Sequence, residues 1–121
     1  METPKIFESE YRFCLILWEH EPVTTTELVK LCQAQLGWKR TTTYTVIKRL
    51  CDKGCLKNEA AVVTSLVDRA TVQQADGQEV LQRSFHGSLP SFLAAFLRAG
   101  SVSDQEAAEI EQMLEEYRQS H

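Results

Sequence analysis

Residues Leu36 to Leu56, LGWKRTTTYTVIKRLCDKGCL, constrain this chain more than any other stretch. Placed on a helix, Thr43, Val46, Ile47 and Leu50 recur at i, i+3, i+4 and i+7 and make one apolar stripe. The opposite face carries Thr41, Thr42, Thr45, Lys48, Arg49 and Asp52. From Lys39 to Lys57 there are six basic residues (Lys39, Arg40, Lys48, Arg49, Lys53 and Lys57) against one acid, Asp52. Gly54 follows, free to take the positive φ with which many helices close. Such a segment either keeps an ordinary solvated face or fits the DNA major groove. In the groove, cations neutralise phosphates while Thr hydroxyls and methyls reach base edges. Its neighbours decide between the two.

Upstream, EYRFCLILWEH places Phe13, Cys14, Ile16 and Leu17 toward a core, with Ser9 as the expected cap. Glu21-Pro22 ends that helix, because a residue before proline avoids the helical region. Val23-Thr24 has room for one bridging strand. Thr24 and Glu27 then have capping-box spacing and open a second helix through Leu28, Leu31, Cys32 and Leu36. Gly37 breaks it, Trp38 anchors the turn, and the basic helix starts between Lys39 and Thr41. Three helices in this order, the last one basic, make a helix-turn-helix. After Gly54 the period changes: Leu56–Glu59 and Val62–Val67 predict two short strands joined around Ala60-Ala61. A hairpin directly after a helix-turn-helix gives a winged helix. With only Lys57 and Arg69 available to phosphates, the hairpin is expected to be mainly structural.

From Thr71 the pattern is helical again. Val72, Val80, Leu81 and Phe85 mark a linking helix, and His86-Gly87-Ser88 a break. Ser88 can cap a helix with Pro90 in its first turn, in which Leu89, Phe92, Leu93, Phe96 and Leu97 keep a strict helical period. Gly100 ends it. Ser103 and Glu106 form a second capping box ahead of Ile110, Met113, Leu114 and Tyr117 on one face. Short helices this rich in Phe and Leu cannot bury those side chains against one another alone. They must either self-associate or pack back on the winged helix; self-association is the expectation. The fold class is therefore mainly α with a small β-hairpin, a winged helix-turn-helix over 1–68 followed by a three-helix dimerisation segment over 69–121.

Charge follows the same division. The net charge of −4 splits into +1 for residues 1–66 (nine Lys and Arg, eight Asp and Glu) and −5 for residues 67–121 (four and nine). Positive charge is concentrated on one stretch and negative charge sits in the C-terminal part. Hydrophobic content of 43% with 25% charged residues excludes disorder. No apolar run reaches the length of a membrane span, and METPKIFESEYR lacks a signal-peptide pattern, so a cytoplasmic location is expected. Cys14, Cys32, Cys51 and Cys55 include no CxxC pair, and His20, His86 and His121 are scattered. Free thiols are expected, with no metal and no cofactor; a thiol- or metal-responsive regulator using Cys51 and Cys55 stays a minor alternative.

The order LILWEHEPVTTTELV, LGWKRTTTYTVIKRLCDKG, SFHGSLPSFLAAFL and SVSDQEAAEIEQMLEEYR resembles the penicillinase/methicillin-resistance repressor family (BlaI/MecI/CopY type). The cluster Trp38, Thr42, Thr45, Arg49 and Leu50 carries the likeness, as does Gly87-Ser88-Leu89, and it extends over nearly the whole chain. The resemblance implies a homodimeric winged-helix repressor that is not an enzyme. It implies that the third helix reads double-stranded operator DNA, an inverted repeat, through Thr41, Thr42, Thr45 and Arg49. Lys39, Arg40, Lys48 and Lys57 complete the expected DNA-facing set. Leu89, Phe92, Leu93, Phe96, Leu97, Ile110, Met113, Leu114 and Tyr117 form the expected dimerisation set.

Three departures bound the resemblance. The family's hairpin has a Gly-Arg turn followed by aromatics, and here the sequence is Glu59-Ala60-Ala61-Val62-Val63. Penicillinase repressors are cleaved at an Asn–Phe bond, and the matching pair here is Ala95-Phe96, so a regulatory protease is not implied. Copper-responsive relatives carry C-terminal Cys-x-Cys motifs, and this chain ends EEYRQSH. Outside the resemblance, no phosphate loop, nucleophile elbow or paired carboxylates suggest catalysis. A protein-interaction module using the acidic C-terminal helices is the other alternative, and the salt dependence of duplex binding separates it from a repressor.

Overall fold

The computed structural model describes residues 4–121. The chain divides into two compact units, Met1–Gly77 and Gln78–His121.

In the first unit, helix α1 (Glu8–His20) buries Phe13, Cys14, Ile16 and Leu17, as its periodicity requires. Ser9 does not cap it. The helix starts one residue earlier, at Glu8, with Phe7 in the N-cap position, because the Glu10 carboxylate reaches back and accepts the Phe7 N–H at 2.9 Å. Strand β1 (Val23–Thr24) leads into α2 (Thr25–Leu36), where the Thr24 hydroxyl accepts from the Glu27 N–H at 3.1 Å. Gly37, at φ 69°, ends α2 in the left-handed conformation. Trp38 then lies parallel to Phe13, ring centroids 6.3 Å apart, and ties the turn to α1. Helix α3 (Arg40–Asp52) follows with Lys39 as its N-cap, and Thr43, Val46, Ile47 and Leu50 are all buried.

Strands β2 (Leu56–Glu59) and β3 (Val62–Ser65) form an antiparallel hairpin, and β1 adds to its other edge to give the order β1-β3-β2. Strand β3 stops at Ser65, short of Val67. The Val67 carbonyl is taken by the Trp18 indole N–H at 3.0 Å, and the Glu21 carboxylate accepts both the N–H and the hydroxyl of Ser65. Helix α4 (Arg69–Phe85) is capped by Asp68, whose carboxylate accepts from the Thr71 N–H at 2.7 Å; bonding to Thr71 holds that carboxyl below its usual range. Val72 from α4 is buried in the same core as Phe13, Leu17, Leu28, Leu50 and Val63. Residues 69–77 therefore pack as part of the first unit.

In the second unit, α5 (Leu89–Arg98) begins at Ser88, which accepts from the Ser91 N–H at 3.2 Å, and has Pro90 in its first turn. Helix α6 (Asp104–Ser120) begins with a complete capping box: Ser103 and Glu106 exchange bonds of 3.1 Å in each direction. Phe85, Phe92 and Phe96 touch in series, with centroids 5.3 and 4.9 Å apart. Yet no residue of α5 or α6 is buried.

All four cysteines are free; Cys14, Cys32 and Cys55 are buried and Cys51 is half-buried. Burial, helped by the neighbouring Cys55 and Glu10, pushes the Cys14 thiol up to about 12, and burial also raises Cys32, Cys51 and Cys55. The thiolate that would bind a metal or attack a disulfide is thus disfavoured at each. Among the described residues no group of three or more His, Cys, Asp or Glu could hold a metal ion, and no helix is long and apolar enough to cross a membrane.

The hairpin tip stores strain. Ala60 and Ala61 both hold positive φ, 53° and 64°, the arrangement of a type I′ turn that Asn-Gly satisfies without a clash. The tip is held in place because the Ala61 carbonyl accepts from the Thr25 N–H at 2.9 Å. Replacing Ala60-Ala61 by Asn-Gly should therefore stabilise the fold, by about 1 kcal/mol after the added unfolded-state freedom of glycine is subtracted. A thermal melt checks this; an unchanged or lowered midpoint would show that the turn is not strained.

Candidate nucleic-acid interface

The burial of one side of α3 decides what the other side offers. Thr41, Thr42, Tyr44, Thr45, Lys48 and Arg49 are exposed on it, and Lys39 and Arg40 are exposed at its start. Thr41, Thr42, Thr45 and Arg49 line one open groove together with Val46, Trp38 from the preceding turn and Ser9 from the start of α1. Lys39, Arg40, Lys48 and Lys57 are not among its lining residues. Two of them are paired: Lys48 lies 3.6 Å from Asp52 on the same helix, and Lys57 lies 3.6 Å from Glu59 on β2. Both pairs are solvent-exposed, so they hold these cations only weakly.

The Thr45 hydroxyl donates to the Thr41 carbonyl at 2.9 Å. With its proton so engaged, it offers acceptor lone pairs and a methyl group to the groove. Arg40 stacks over the Tyr44 ring, guanidinium to centroid 5.6 Å. The Thr25 hydroxyl and then Arg40 hold the Tyr44 phenol below its usual range. Arg49 is half-exposed on the side of α3 nearest α1, where its Nη1 lies 3.9 Å from Oε2 of Glu10.

Electrostatically, the start of α3 is unfinished. Helices α2, α5 and α6 have Thr24, Ser88 and Ser103 as side-chain caps, Asp68 caps α4, and α1 has Glu8 and Glu10 in its first turn. Among the described helices α3 alone has neither a side-chain cap nor an acid in its first turn, and it carries Lys39 and Arg40 there instead. Helix N-termini favour negative charge, so this end is unfavourable by itself and is matched to an anion.

Glu10 and Tyr44 had no part in the sequence reading of this region, and Ser9 and Lys53 were read only as an expected cap and as one of six basic residues. Glu10 had a usable signal, since it sits three, four and seven residues before Phe13, Cys14 and Leu17, on the buried stripe. Tyr44 had none beyond its place on the helix.

Comparison with known proteins fits this geometry. The profile of the family described as "Penicillinase repressor" matches residues 6–116. A penicillinase repressor of Bacillus licheniformis is 28% identical over 121 residues, 97% of this chain and 94% of that protein. An uncharacterised 16.5 kDa protein of Latilactobacillus sakei is 28% identical over 93% of this chain and 80% of its own length. Among solved structures, the DNA-binding domain of the repressor BlaI matches with a TM-score of 0.50 at 28% identity, covering 59% of this chain and 93% of that one. The monomeric form of Bacillus licheniformis BlaI in complex with the blaP half-operator matches with a TM-score of 0.51, at the same identity and coverage. With a winged helix at its head and a family profile spanning nearly its full length, the chain belongs to the penicillinase repressor family, whose members are transcriptional repressors and not enzymes.

Proposed function

We propose that this chain is a dimeric, sequence-specific repressor that reads an inverted-repeat operator with α3. The observation that carries the reading is the outward face of α3: three exposed threonines and Arg49 share one groove below an uncapped, basic helix start. Phosphate contacts fall to Lys39, Arg40 and the open N–H groups of the first turn, with Lys48 and Lys57 at the flanks. Base reading falls to Thr41, Thr42, Thr45 and Arg49. Thr45, presenting acceptors and a methyl, suits an amino group of adenine or cytosine or the methyl of thymine. That the BlaI relative was solved on a half-operator as a monomer supports one head per half-site.

Dimerisation through the second unit rests on its uncovered apolar surface. Leu89, Phe96, Leu97, Met113, Leu114 and Tyr117 are exposed, with Phe92, Leu93 and Ile110 half-buried. Exposed apolar helix faces of this kind suit an association site. The functional division proposed is a reading head over 1–68 and an association segment over 69–121. For two heads to reach successive major grooves, their recognition helices must lie about 34–36 Å apart, so the operator half-sites should be spaced by one helical turn.

Arg49→Ala should weaken operator binding while leaving the melting temperature nearly unchanged. A lost base contact costs about 1–3 kcal/mol and relaxes specificity, whereas a lost phosphate contact weakens every duplex alike. Titration against operator and scrambled duplex separates the two; unchanged affinity for both would remove Arg49 from the interface. Assembly is tested separately by Phe96→Asp or Leu93→Asp, either of which places a charge in the apolar face and should yield monomers. Light scattering that finds the unaltered protein monomeric at micromolar concentration would end the dimer reading. Truncation after Gly77, which keeps Val72 in the core, should bind isolated half-sites yet lose most affinity for the full repeat, because a tethered second head no longer raises the effective concentration. Its salt slope should also be smaller. Equal footprints from the truncated and full chains would show that the C-terminal helices do not direct binding.

A further inference from the structure

Beneath the reading face lies a carboxylate that a DNA-binding surface would not be expected to tolerate. Glu10 on α1 has no solvent exposure, although it lies beside the cations of α3. Its Oε1 is satisfied twice, by the Phe7 N–H at 2.9 Å and by Lys53 Nζ at 2.7 Å. Lys53 is itself fixed, since its Nζ also donates to the Lys5 carbonyl at 2.9 Å and lies 4.7 Å from the Phe7 ring centroid. The Glu10–Lys53 pair is thus complete within the fold. The second oxygen is not: Oε2 is buried without a hydrogen bond, and the cation facing it is Arg49, at 3.9 Å.

We propose that Glu10 is a positioning residue for operator recognition, acting through Arg49. The inference deepens the repressor reading above and rests on it. A guanidinium has donors on more than one edge, so Arg49 can face Oε2 with one edge and the groove of Thr41, Thr42 and Thr45 with another. A gap of 3.9 Å is about 1 Å longer than a charge-assisted hydrogen bond. A small shift of the half-exposed arginine closes it when DNA expels water from the groove. Two consequences follow. The side chain already faces Oε2 before DNA arrives, so less freedom is lost on binding. The buried negative charge also reduces the attraction of Arg49 for phosphate of any sequence, which favours discrimination over raw affinity. Lysine at position 49 would keep the charge without the planar fork.

The test is a double-mutant cycle on the full-length chain. The probes are a duplex selected by this protein from a random pool and a duplex of the same composition in scrambled order. Glu10→Gln preserves size and an acceptor for the Phe7 N–H while removing the charge. Expected is a roughly tenfold fall in the ratio of selected to scrambled affinity, with scrambled binding equal or tighter. In an Arg49→Ala background the same substitution should leave the ratio unchanged. A fall of the same size in both backgrounds, or no fall in either, overturns the proposal, because Glu10 would then not act through Arg49. Should Glu10→Gln fail to fold, side-chain NMR of Arg49 in the unaltered protein bound to the selected duplex decides. Restrained rotation about its Cζ–Nη bonds supports the proposal, and free rotation overturns it. If the unaltered protein itself cannot distinguish the two duplexes, the repressor reading fails, and the inference falls with it for that separate reason.

Discussion

What the first unit exposes along α3 depends on which side of that helix is buried. Thr43, Val46, Ile47 and Leu50 are buried where α3 packs on α2 and β2, and each fully buried aliphatic side chain contributes about 1.5–3 kcal/mol. A helix fixed this way has no rotational choice. Thr41, Thr42 and Thr45 are outward because Thr43 and Val46 are inward. The outward face, the recognition surface of the proposed reading, is therefore a by-product of core packing, and it can vary in chemistry without disturbing the fold, provided the stripe stays apolar. Position 43 shows the limit, since a threonine there is wholly buried with its hydroxyl oxygen unbonded.

Electrostatics adds a second constraint. Across the chain, helix starts are capped by hydroxyls or carboxylates, and the exception is the helix whose outward face is most basic. A start with Lys39 and Arg40 and no acceptor raises the free energy of the isolated protein a little. That cost is removed when phosphate approaches. Near the other end of the same helix, the buried Glu10 of α1 lies between Lys53 and Arg49, 2.7 and 3.9 Å away. The pair of features leaves α3 open to phosphate at its first turn and partly neutralised at its last.

How much of this was legible in the sequence follows from the range of the interactions involved. The α3 stripe, the Thr24 and Ser103 caps, the Gly37 and Gly100 stops and the Ala60-Ala61 tip are set by residues within a turn of one another, and the structure places each as the spacing predicts. Misreadings occur where a distant group intervenes. Ser9 lost the cap because Glu10, drawn inward by Lys53 43 positions away, also accepts the Phe7 N–H. Strand β3 ended early because the indole of Trp18, 49 positions away, takes the carbonyl of Val67. The groove under α3 was half visible: its threonines and arginine come from one helix, whereas Ser9 and Trp38 reach it only through tertiary packing. The burial of Glu10 could have been read from its place on the α1 stripe, but its tie to Arg49 could not, since no local pattern joins residues 39 apart.

The two units also differ in what they leave incomplete. In the first, the core is closed and the unsatisfied element is charge, at the start of α3. In the second, the starts of α5 and α6 are capped and the unsatisfied element is apolar surface along both helices. A capped helix with an uncovered apolar face is stable enough to form locally yet gains most of its burial from association. Under the proposed reading the two deficits are met by different partners, DNA for one and a second copy for the other. Helix α4 begins in the first unit and ends in the second. Under the same reading α4, as the segment that joins head to association helices, bears on whether two heads can engage one repeat at the same time.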